Sequence, residues 1–390
     1  MNNTPNANRL HIAVYGVRNS GKSSLINAIT GEETSVVADV AGTTTDTVAR
    51  AMELHGVGAV LLIDTPGFDD VGEVGDMRVE RARRTIERTD IALLICEGGE
   101  MADEQRWFKA LKGRSIPVIP VISKIDLRGD TSQLESDIER MFEETPIRIS
   151  AKRGVDIEMI RETILRKIEP TSIDLKITAG LVDKGDLVVL VMPQDPQAPK
   201  GRIILPQVQT LRELLDIGAI VVSCTTEGLK QTLETLTTNP KLIITDSQAF
   251  KEVYALKPEQ STLTSFSILM AGYKGDIESF KAGAKFIDTL TPQSRILIAE
   301  ACAHAPITED IGRVKLPRML RQRIGEELKI DIVAGRNFPD DLSPYSLIIH
   351  CGACMFNRKY MMHRIERAQQ SGVPITNYGV VIAHLQGVLV

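Results

Sequence analysis

Residues 10–24 read LHIAVYGVRNSGKSS, an apolar segment that runs directly into a glycine-rich loop. The loop from Gly16 to Ser23 fits the pattern G-x-x-x-x-G-K-S in full, and residues 24–30 have helical character. In this strand, loop and helix context the pattern predicts a P-loop, whose glycines let backbone N–H groups turn toward phosphates. Lys22 is then expected to reach the outer phosphates and the Ser23 hydroxyl to bind Mg²⁺. The residues predicted to contact the nucleotide here are Gly16, Asn19, Ser20, Gly21, Lys22, Ser23 and Ser24.

The length and composition of the chain indicate a globular protein of two or three domains. It has 390 residues, of which 43% are hydrophobic and 25% charged, so sizeable cores can form. The net charge of −5 gives no argument for a nucleic-acid or membrane partner. Five cysteines do not make a disulfide framework in a chain of this size, and we expect a cytoplasmic location. Residues 1–8 carry no signal-peptide pattern and are expected to be disordered, and no apolar run approaches the roughly 18 residues of a membrane span.

A second apolar strand ends in residues with the chemistry of a magnesium site. Residues 57–63 are strand-like and lead into Asp64, Thr65, Pro66 and Gly67. Asp64 is expected to hold the shell around Mg²⁺, and the Gly67 N–H to meet the terminal phosphate.

A third apolar strand, residues 116–122, leads into a motif suited to guanine. The carboxylate of Asp126 can accept the N1 and N2 protons of guanine, which adenine cannot supply, while the stem of Lys124 covers the ring. Ser123 stands where this motif usually has Asn, so weaker nucleotide affinity with retained specificity is expected. The loop that contacts the base from its other side is expected at Ser150, Ala151 and Lys152.

Together these segments resemble the small-GTPase superfamily over residues 9–170. Residues 41–46, AGTTTD, resemble the first switch of the branch that includes the tRNA-modification GTPase TrmE and Era. By that resemblance Thr44 ligates Mg²⁺ and senses the γ-phosphate, and Asn19 helps to hold K⁺ against the phosphates. Phe68 stands where Ras-like proteins have a water-positioning Gln, so slow, potassium-activated hydrolysis of GTP is expected. The predicted catalytic residues are Lys22, Thr44, Asp64 and Gly67.

The downstream acid of TrmE-like enzymes has no direct counterpart in this chain. The alignment through residues 80–82 puts Gly75 at that position. Glu73 or Asp76 is a candidate substitute, and the alternative is that both belong to a solvated acidic loop.

Residues 171–265 show no phosphate loop, paired carboxylates or metal-ligand spacing. Short apolar segments at 187–192, 219–224 and 241–245, each followed by a helical stretch, predict a parallel sheet buried on both faces. A domain without catalytic or metal-binding motifs is most simply explained as a module for self-association, so we expect dimerisation through it.

Residues 266–390 contain two short segments with cysteine and histidine, CAH at 302–304 and HCGAC at 350–354. Residues 263–271, 295–301 and 347–349 are predicted strands, and the last two deliver these segments at their carboxyl ends, where ligands gather in open α/β sheets. Soft thiolate ligands select zinc, copper(I) or an iron–sulfur cluster.

The residues alone leave the metal open. Structural zinc needs four closed ligands, which Cys302, Cys351, Cys354 and one histidine could supply. An iron–sulfur cluster with three cysteines would leave one iron with another ligand, although protein clusters usually use cysteine throughout.

The order of all these parts is similar to that of the FeFe-hydrogenase maturation GTPases, the HydF family, over essentially the whole chain. The resemblance implies a 4Fe–4S cluster held by Cys302, Cys351 and Cys354. It implies a scaffold that carries the two-iron subcluster precursor to the hydrogenase, with FeFe-hydrogenase and the radical-SAM maturation proteins as partners. His304 and His350 are the motif histidines, candidates for a fourth ligand or for a supporting role. Glu309 is a candidate replaceable ligand, or equally the acid at the start of a helix.

The predicted fold class is therefore α/β, with a doubly wound P-loop GTPase sheet followed by two smaller domains with mainly parallel sheets. The predicted domains are 9–170, 171–265 and 266–390. The alternative function is an RNA-modification or ribosome-assembly GTPase with zinc in its last domain. It is less favoured because the chain has no basic stretch interleaved with aromatic residues, and aromatics make up only 4% of it.

Overall fold

The structure is a computed structural model of the 390-residue chain. It describes residues 5–31, 48–67, 73–168, 175–193, 204–301, 310–335, 337–353 and 355–387. The chain divides into two units, Met1–Asp174 and Leu175–Val390. Within the described ranges no helix is long and apolar enough to cross a membrane.

The first unit is built on a six-stranded sheet in the order β2-β3-β1-β4-β5-β6. β2 is antiparallel to β3, and the remaining neighbours pair in parallel. The central strands β1, β4 and β5 are mainly apolar, with His11 the polar residue of β1, and they are almost fully buried, as expected of parallel strands covered on both faces. The strands are β1 (Leu10–Tyr15), β2 (Ala49–Leu54), β3 (Gly58–Asp64), β4 (Ile91–Ile95), β5 (Val118–Ile122) and β6 (Ile147–Arg148).

Helices cover both faces of this sheet and divide its core in two. One apolar cluster includes Tyr15, Trp107 and Phe142, and the other includes Leu25 and Ile160. This layered arrangement leaves the carboxyl edge of the sheet open to a ligand. The helices are α1 (Lys22–Thr30), α2 (Glu73–Ile86), α3 (Ala102–Lys112), α4 (Ser132–Phe142) and α5 (Ile157–Lys167).

The second unit contains two four-stranded, wholly parallel sheets, so the predicted fold class is confirmed. The first of them has the order β10-β9-β7-β8, which makes β8 an edge strand. Its elements are β7 (Leu187–Val191), α6 (Leu205–Ile217), β8 (Ile220–Cys224), α7 (Leu229–Thr235), β9 (Leu242–Thr245), α8 (Phe250–Leu256) and β10 (Thr262–Ser265).

The second of these sheets has the order β12-β11-β13-β14. A five-residue π-helix, Ile311–Lys315, leads into α11, and a short 3₁₀ helix, Phe286–Thr289, follows α10. The other elements are α9 (Phe266–Lys274), α10 (Ile277–Lys285), β11 (Arg295–Glu300), α11 (Leu316–Ile324), β12 (Lys329–Ala334), β13 (Leu347–His350), α12 (Arg358–Gln370), β14 (Ile375–Asn377) and α13 (Tyr378–Leu385).

Two expectations differ from the structure. Residues 263–271 are not one strand, because the Ser265 side chain accepts a hydrogen bond from the Ile268 N–H at 3.2 Å and caps a helix that begins at Phe266. The predicted disorder of residues 1–8 does not extend to Asn6–Asn8, which form a 3₁₀ turn. The ring of His11 contacts the Asn6 carbonyl at 2.8 Å and holds that turn on the sheet.

Candidate functional site

The glycine-rich loop after β1 has the geometry that a phosphate-binding loop requires. Gly21 has a φ of +97°, which favours glycine. A Cβ at Gly16 would lie 2.7 Å from Ser20 Oγ and 3.1 Å from Ile95 Cβ, so a side chain there would have to displace its neighbours. The Lys22 ammonium donates to the carbonyls of Gly16 and Val17 at 3.0 and 2.7 Å. The loop is thus wrapped around the amine that is predicted to meet the outer phosphates.

The predicted magnesium residues of the loop and of β3 are in direct contact. Parallel pairing sets Val14 opposite Asp64, and the Ser23 hydroxyl donates to Asp64 Oδ2 at 2.5 Å. Burial raises the pKa of the Asp64 carboxyl, while the Ser23 hydrogen bond and the Lys22 charge oppose that rise. A hydroxyl and a carboxylate oxygen at this distance are hard ligands of the type that Mg²⁺ prefers.

The rest of the predicted catalytic set is less defined. Gly67 lies three residues beyond the end of β3. Thr44 and Phe68 lie outside the described residues. Helix α2 begins at Glu73, but the side chains of Glu73 and Asp76 are not among those that the structure describes.

The predicted guanine motif after β5 is joined to the P-loop by two hydrogen bonds. Ser123 Oγ donates to the Ser20 carbonyl at 2.6 Å, and Lys124 Nζ donates to the Asn19 carbonyl. The Ser123 hydroxyl is therefore used to fix the P-loop. The Lys124 side chain also passes close to Gly21, since a Cβ there would lie 3.6 Å from Lys124 Cε.

Asp126 and Ser150, from the two predicted base loops, are also paired. Ser150 Oγ donates to Asp126 Oδ1 at 2.6 Å, and this bond holds the pKa of Asp126 below its usual range. The nearby charge of Lys152 acts in the same direction. The carboxylate thus stays ionised and oriented. Ala151 is half-buried directly after Ser150, and Ser24 in α1 is exposed.

Two residues of this site did not emerge from the sequence motifs. Glu97, directly after Cys96 at the end of β4, lies 3.6 Å from Lys124 Nζ and 3.9 Å from Arg128. Arg128 in turn donates to the carbonyls of Glu97 and Ser123. The sequence does contain one indication of Glu97, because it is a polar residue that follows a buried strand next to the P-loop strand.

The second candidate site lies at the carboxyl edge of the last sheet, where β11 and β13 end side by side. Ala299 pairs with His350, and the Cys351 N–H donates to the Ala299 carbonyl at 2.9 Å. The Ala301 N–H donates to Cys351 Sγ at 3.0 Å. The chain on either side of this contact leads into the predicted metal ligands. Cys302, His304, Glu309 and Cys354 themselves lie outside the described residues.

His350 is held from both ring nitrogens. It is fully buried, Nδ1 lies 2.8 Å from the Cys351 carbonyl, and Nε2 lies 2.7 Å from Arg364. Because Arg364 can only donate, Nε2 must accept and Nδ1 must carry the proton. Burial and the adjacent guanidinium lower the pKa of His350 to about 3, so the ring is neutral.

Arg364 is enclosed by aromatic rings and anchors this histidine. Its guanidinium lies 4.6 Å from the rings of Phe338 and Phe356 and 4.9 Å from that of Tyr360. It also donates to the Gly335 carbonyl at 2.7 Å. Cation–π contact and hydrogen bonding therefore fix the histidine that supports the Cys351 backbone.

No group of three or more histidine, cysteine or acidic side chains suited to a metal occurs among the residues that the structure describes. Four of the six predicted ligand candidates fall outside those residues, so this finding leaves the predicted set untested.

Comparison with known families matches most of the chain in three parts. A family model described as 50S ribosome-binding GTPase matches residues 11–124. The model for the hydrogen maturase F dimerization domain matches residues 177–275, and that for its tetramerization domain matches residues 278–390.

Curated relatives support the GTPase part. A tRNA modification GTPase MnmE from Nitrosomonas eutropha is 33% identical over 161 residues, 41% of this chain and 35% of the relative. GTPase Der from Wolinella succinogenes is 36% identical over 180 residues, 42% of this chain and 38% of the relative. The matched region spans little more than a third of each relative's own length.

Solved structures give weaker likenesses. Era in complex with MgGDPNP and 16S ribosomal RNA is 22% identical and covers 55% of this chain and 91% of its own, with a TM-score of 0.35. A probable GTP-binding protein engB is 23% identical and covers 40% and 97%, with a TM-score of 0.33. Both TM-scores are below 0.5, so the assignment depends on the family models and the curated relatives.

The first unit is therefore a GTPase that binds GTP with Mg²⁺ and hydrolyses it, and the two domains behind it indicate homo-oligomers. The two hydrogen maturase F models together match more than half of the chain, directly behind a GTPase domain, and the chain belongs to the hydrogen maturase F (HydF) family.

Proposed function

We propose that this GTPase holds a 4Fe–4S cluster at the edge of its last sheet and acts as scaffold and carrier of the two-iron precursor for FeFe-hydrogenase. The observation that carries the proposal is the 3.0 Å hydrogen bond from the Ala301 N–H to Cys351 Sγ. It joins the ends of the two strands that precede the cysteine segments, in a chain of the HydF family.

The chemistry of the donor set fits a cluster. Backbone N–H groups that donate to sulfur stabilise thiolate and tune cluster potential. Cys351 accepts one such bond, and Cys302 follows one residue after its donor. Cys302, Cys351 and Cys354 would hold three irons, and the cluster when bound supplies a fourth iron with a replaceable ligand. The two-iron precursor is cargo that docks against this site.

We assign His350 a supporting role. Both of its ring nitrogens are used, by the Cys351 carbonyl and by Arg364. To bind iron, His350 would have to free one of these ring nitrogens. Freeing Nε2 would break its buried hydrogen bond with the Arg364 guanidinium. His304 and Glu309 are therefore the stronger candidates for the replaceable position.

In the GTPase unit the chain's own residues bind and orient the nucleotide. Lys22 binds the outer phosphates, Ser23 and Thr44 hold Mg²⁺ with Asp64 beside them, and the Gly67 N–H contacts the terminal phosphate. Asn19, at the exposed tip of the P-loop, helps to hold K⁺ against the phosphates. GTP hydrolysis biases docking of the partner proteins, the hydrogenase and the radical-SAM maturation proteins, through the switch loops.

The dimer forms through the first sheet of the second unit. Its edge strand β8 has Ile220 57% exposed, and on the preceding helix α6 Leu215 and Val208 are 55% and 45% exposed. An open parallel edge beside apolar side chains is a natural template for pairing with a second copy. The dimerization-domain model spans these residues.

Replacing Asp126 by Asn should switch the nucleotide preference. An amide cannot accept both guanine protons, but it can donate to the C2 carbonyl of xanthine. Affinity for GTP should fall by at least about tenfold and affinity for xanthosine triphosphate should rise, since a hydrogen bond to a charged group is lost. Fluorescent-nucleotide titration measures both. The matched control is Asp130→Asn, on an exposed loop of the same unit. Unchanged GTP affinity in Asp126→Asn would falsify the guanine assignment.

GTP hydrolysis should be faster in potassium than in sodium. A K⁺ ion against the phosphates adds positive charge where the transition state needs it, so we expect kcat about tenfold higher in K⁺. Asn19→Gly should abolish the difference. Glycine is the appropriate replacement because Asn19 has a φ of +60°, which most side chains disfavour. Equal rates in the two salts for the unaltered protein would remove the K⁺ site.

Anaerobic reconstitution with iron and sulfide should give a brown protein with about four irons per chain, as a 4Fe–4S cluster requires. Cys351→Ser should lower the iron content and the visible absorption. Cys224→Ser, the same change at the end of β8, should not. A colourless protein with one tightly bound zinc would instead favour the RNA-related alternative.

Replacing Ile220 by Lys should weaken self-association. A charge on an edge strand opposes strand pairing, so the mass measured by light scattering should fall by about half. Met159→Lys, at an exposed apolar residue of the first unit, is the control and should keep the mass of the unaltered protein. The interface is misplaced if the unaltered chain is a strict monomer or if Ile220→Lys associates normally.

A further inference from the structure

One arginine side chain joins the ends of two neighbouring strands at the nucleotide edge of the first sheet. β4 and β5 pair in parallel, with Ile95 opposite Val121, so the residues that follow them lie close together. Arg128 Nη1 donates to the Glu97 carbonyl at 2.8 Å, and Arg128 Nε donates to the Ser123 carbonyl at 3.1 Å. The planar guanidinium therefore fixes the loop after β4 to the loop after β5 in one orientation.

The side chain of Glu97 adds a negative charge to this junction. Its carboxylate lies 3.6 Å from Lys124 Nζ and 3.9 Å from Arg128 Nη2. Lys124 Nζ also donates to the Asn19 carbonyl in the P-loop. The lysine of the base motif is thus held by the P-loop carbonyl and by the Glu97 carboxylate together.

The turn that carries Asp126 needs support from outside it. Lys124 has a φ of +58°, a left-handed conformation that a lysine disfavours and that persists where neighbouring contacts impose it. Ser123, directly before it, has a single hydroxyl proton, which it donates to the Ser20 carbonyl at 2.6 Å. The Arg128 side chain returns to the Ser123 carbonyl and closes the turn. Contacts at the two ends of the turn therefore fix the backbone that carries the Asp126 carboxylate.

We propose that Glu97 and Arg128 are positioning residues for the guanine nucleotide. They hold the base motif, from Ser123 to Asp126, in the conformation that binds guanine before the nucleotide arrives. This inference rests on the proposed role of Asp126 in base recognition. A site that is already ordered loses less conformational entropy on binding, so these contacts should slow release of the nucleotide.

The contacts should affect binding of the nucleotide and leave hydrolysis unchanged. In the sheet, β1 lies between β3 and the two strands that Arg128 joins. β3 ends at Asp64, the predicted magnesium residue, so the region predicted to contact the terminal phosphate lies on the other side of β1. Bound GTP should therefore be hydrolysed at the same rate with or without the Arg128 contacts.

The test is nucleotide binding by the full-length protein with Mg²⁺, with fluorescent GDP as the probe. Arg128→Gln removes the guanidinium that bonds both carbonyls and should raise the rate of GDP release by about tenfold. Glu97→Gln keeps the shape of the side chain but removes its charge, and should raise that rate by about threefold. Arg128→Lys keeps the charge without the planar fork and should lie between Arg128→Gln and the unaltered protein. In all three variants KM for GTP should rise and kcat should stay unchanged.

Inosine diphosphate (IDP) gives a readout that a merely structural role would not change. It lacks the 2-amino group that Asp126 is proposed to bind, so its affinity depends less on this carboxylate. The preference for GDP over IDP should therefore fall in Arg128→Gln. The matched control is Arg140→Gln, which makes the same change in the Arg140–Asp137 pair on the surface of α4. It should keep the release rate and the preference of the unaltered protein.

The inference is overturned if Arg128→Gln and Glu97→Gln release GDP at the unaltered rate. It is also overturned if kcat falls in parallel with the affinity, or if the affinity falls with no change in the preference for GDP over IDP. Should Arg128→Gln fail to fold, the same measurements on Glu97→Gln decide. If Asp126→Asn leaves GTP affinity unchanged, the proposed guanine role fails and this inference fails with it. Weaker GTP binding in Asp126→Asn together with normal GDP release in Arg128→Gln overturns the inference alone.

Discussion

Parallel pairing of strands is the constraint on which both sites of this chain depend. In a parallel sheet every strand ends at the same edge, so residues far apart in sequence meet wherever their strands are neighbours. Val14 opposite Asp64 brings the P-loop next to the carboxylate that is predicted to help bind Mg²⁺. Ala299 opposite His350 brings together the ends of the two strands that precede the cysteine segments in the sequence. The same geometry thus serves a nucleotide site in one unit and the candidate metal site in the other.

The parts of the candidate sites that could be predicted from the sequence are those whose functional residues all lie within one short segment. The P-loop, the Asp64 segment and the guanine motif each carry their pattern within a few residues, and the strand before each of them is mainly apolar. These signals are local because glycine conformation and strand burial are local requirements. The predicted parallel sheets followed from the same runs.

What could not be predicted depends on register between distant strands or on tertiary contact. Glu97 is an ordinary acid in sequence and matters only because β4 lies beside β1 and β5. The strand expected over residues 263–271 becomes a helix at Phe266 because the Ser265 hydroxyl caps it, a choice that an apolar run does not reveal. Edge strand β2, with its mixed polar pattern ARAMEL, gives no periodic signal at all.

The buried polar groups near Cys351 form two separate supports with different consequences. Arg364 bonds to His350, and His350 bonds to the Cys351 carbonyl, an arrangement in which the imidazole ring is neutral. Glu300, the last residue of β11, pairs with Arg313 of the π-helix, next to the strand end that precedes the other cysteine segment in the sequence. Buried charges and their partners are costly to separate, so both supports favour one fixed arrangement of the strand ends. A replaceable iron ligand needs the opposite property, a side chain that can leave at low cost. Under the proposed function, His304 and Glu309 follow this strand end in the sequence, so rigid support and a replaceable ligand can belong to different residues.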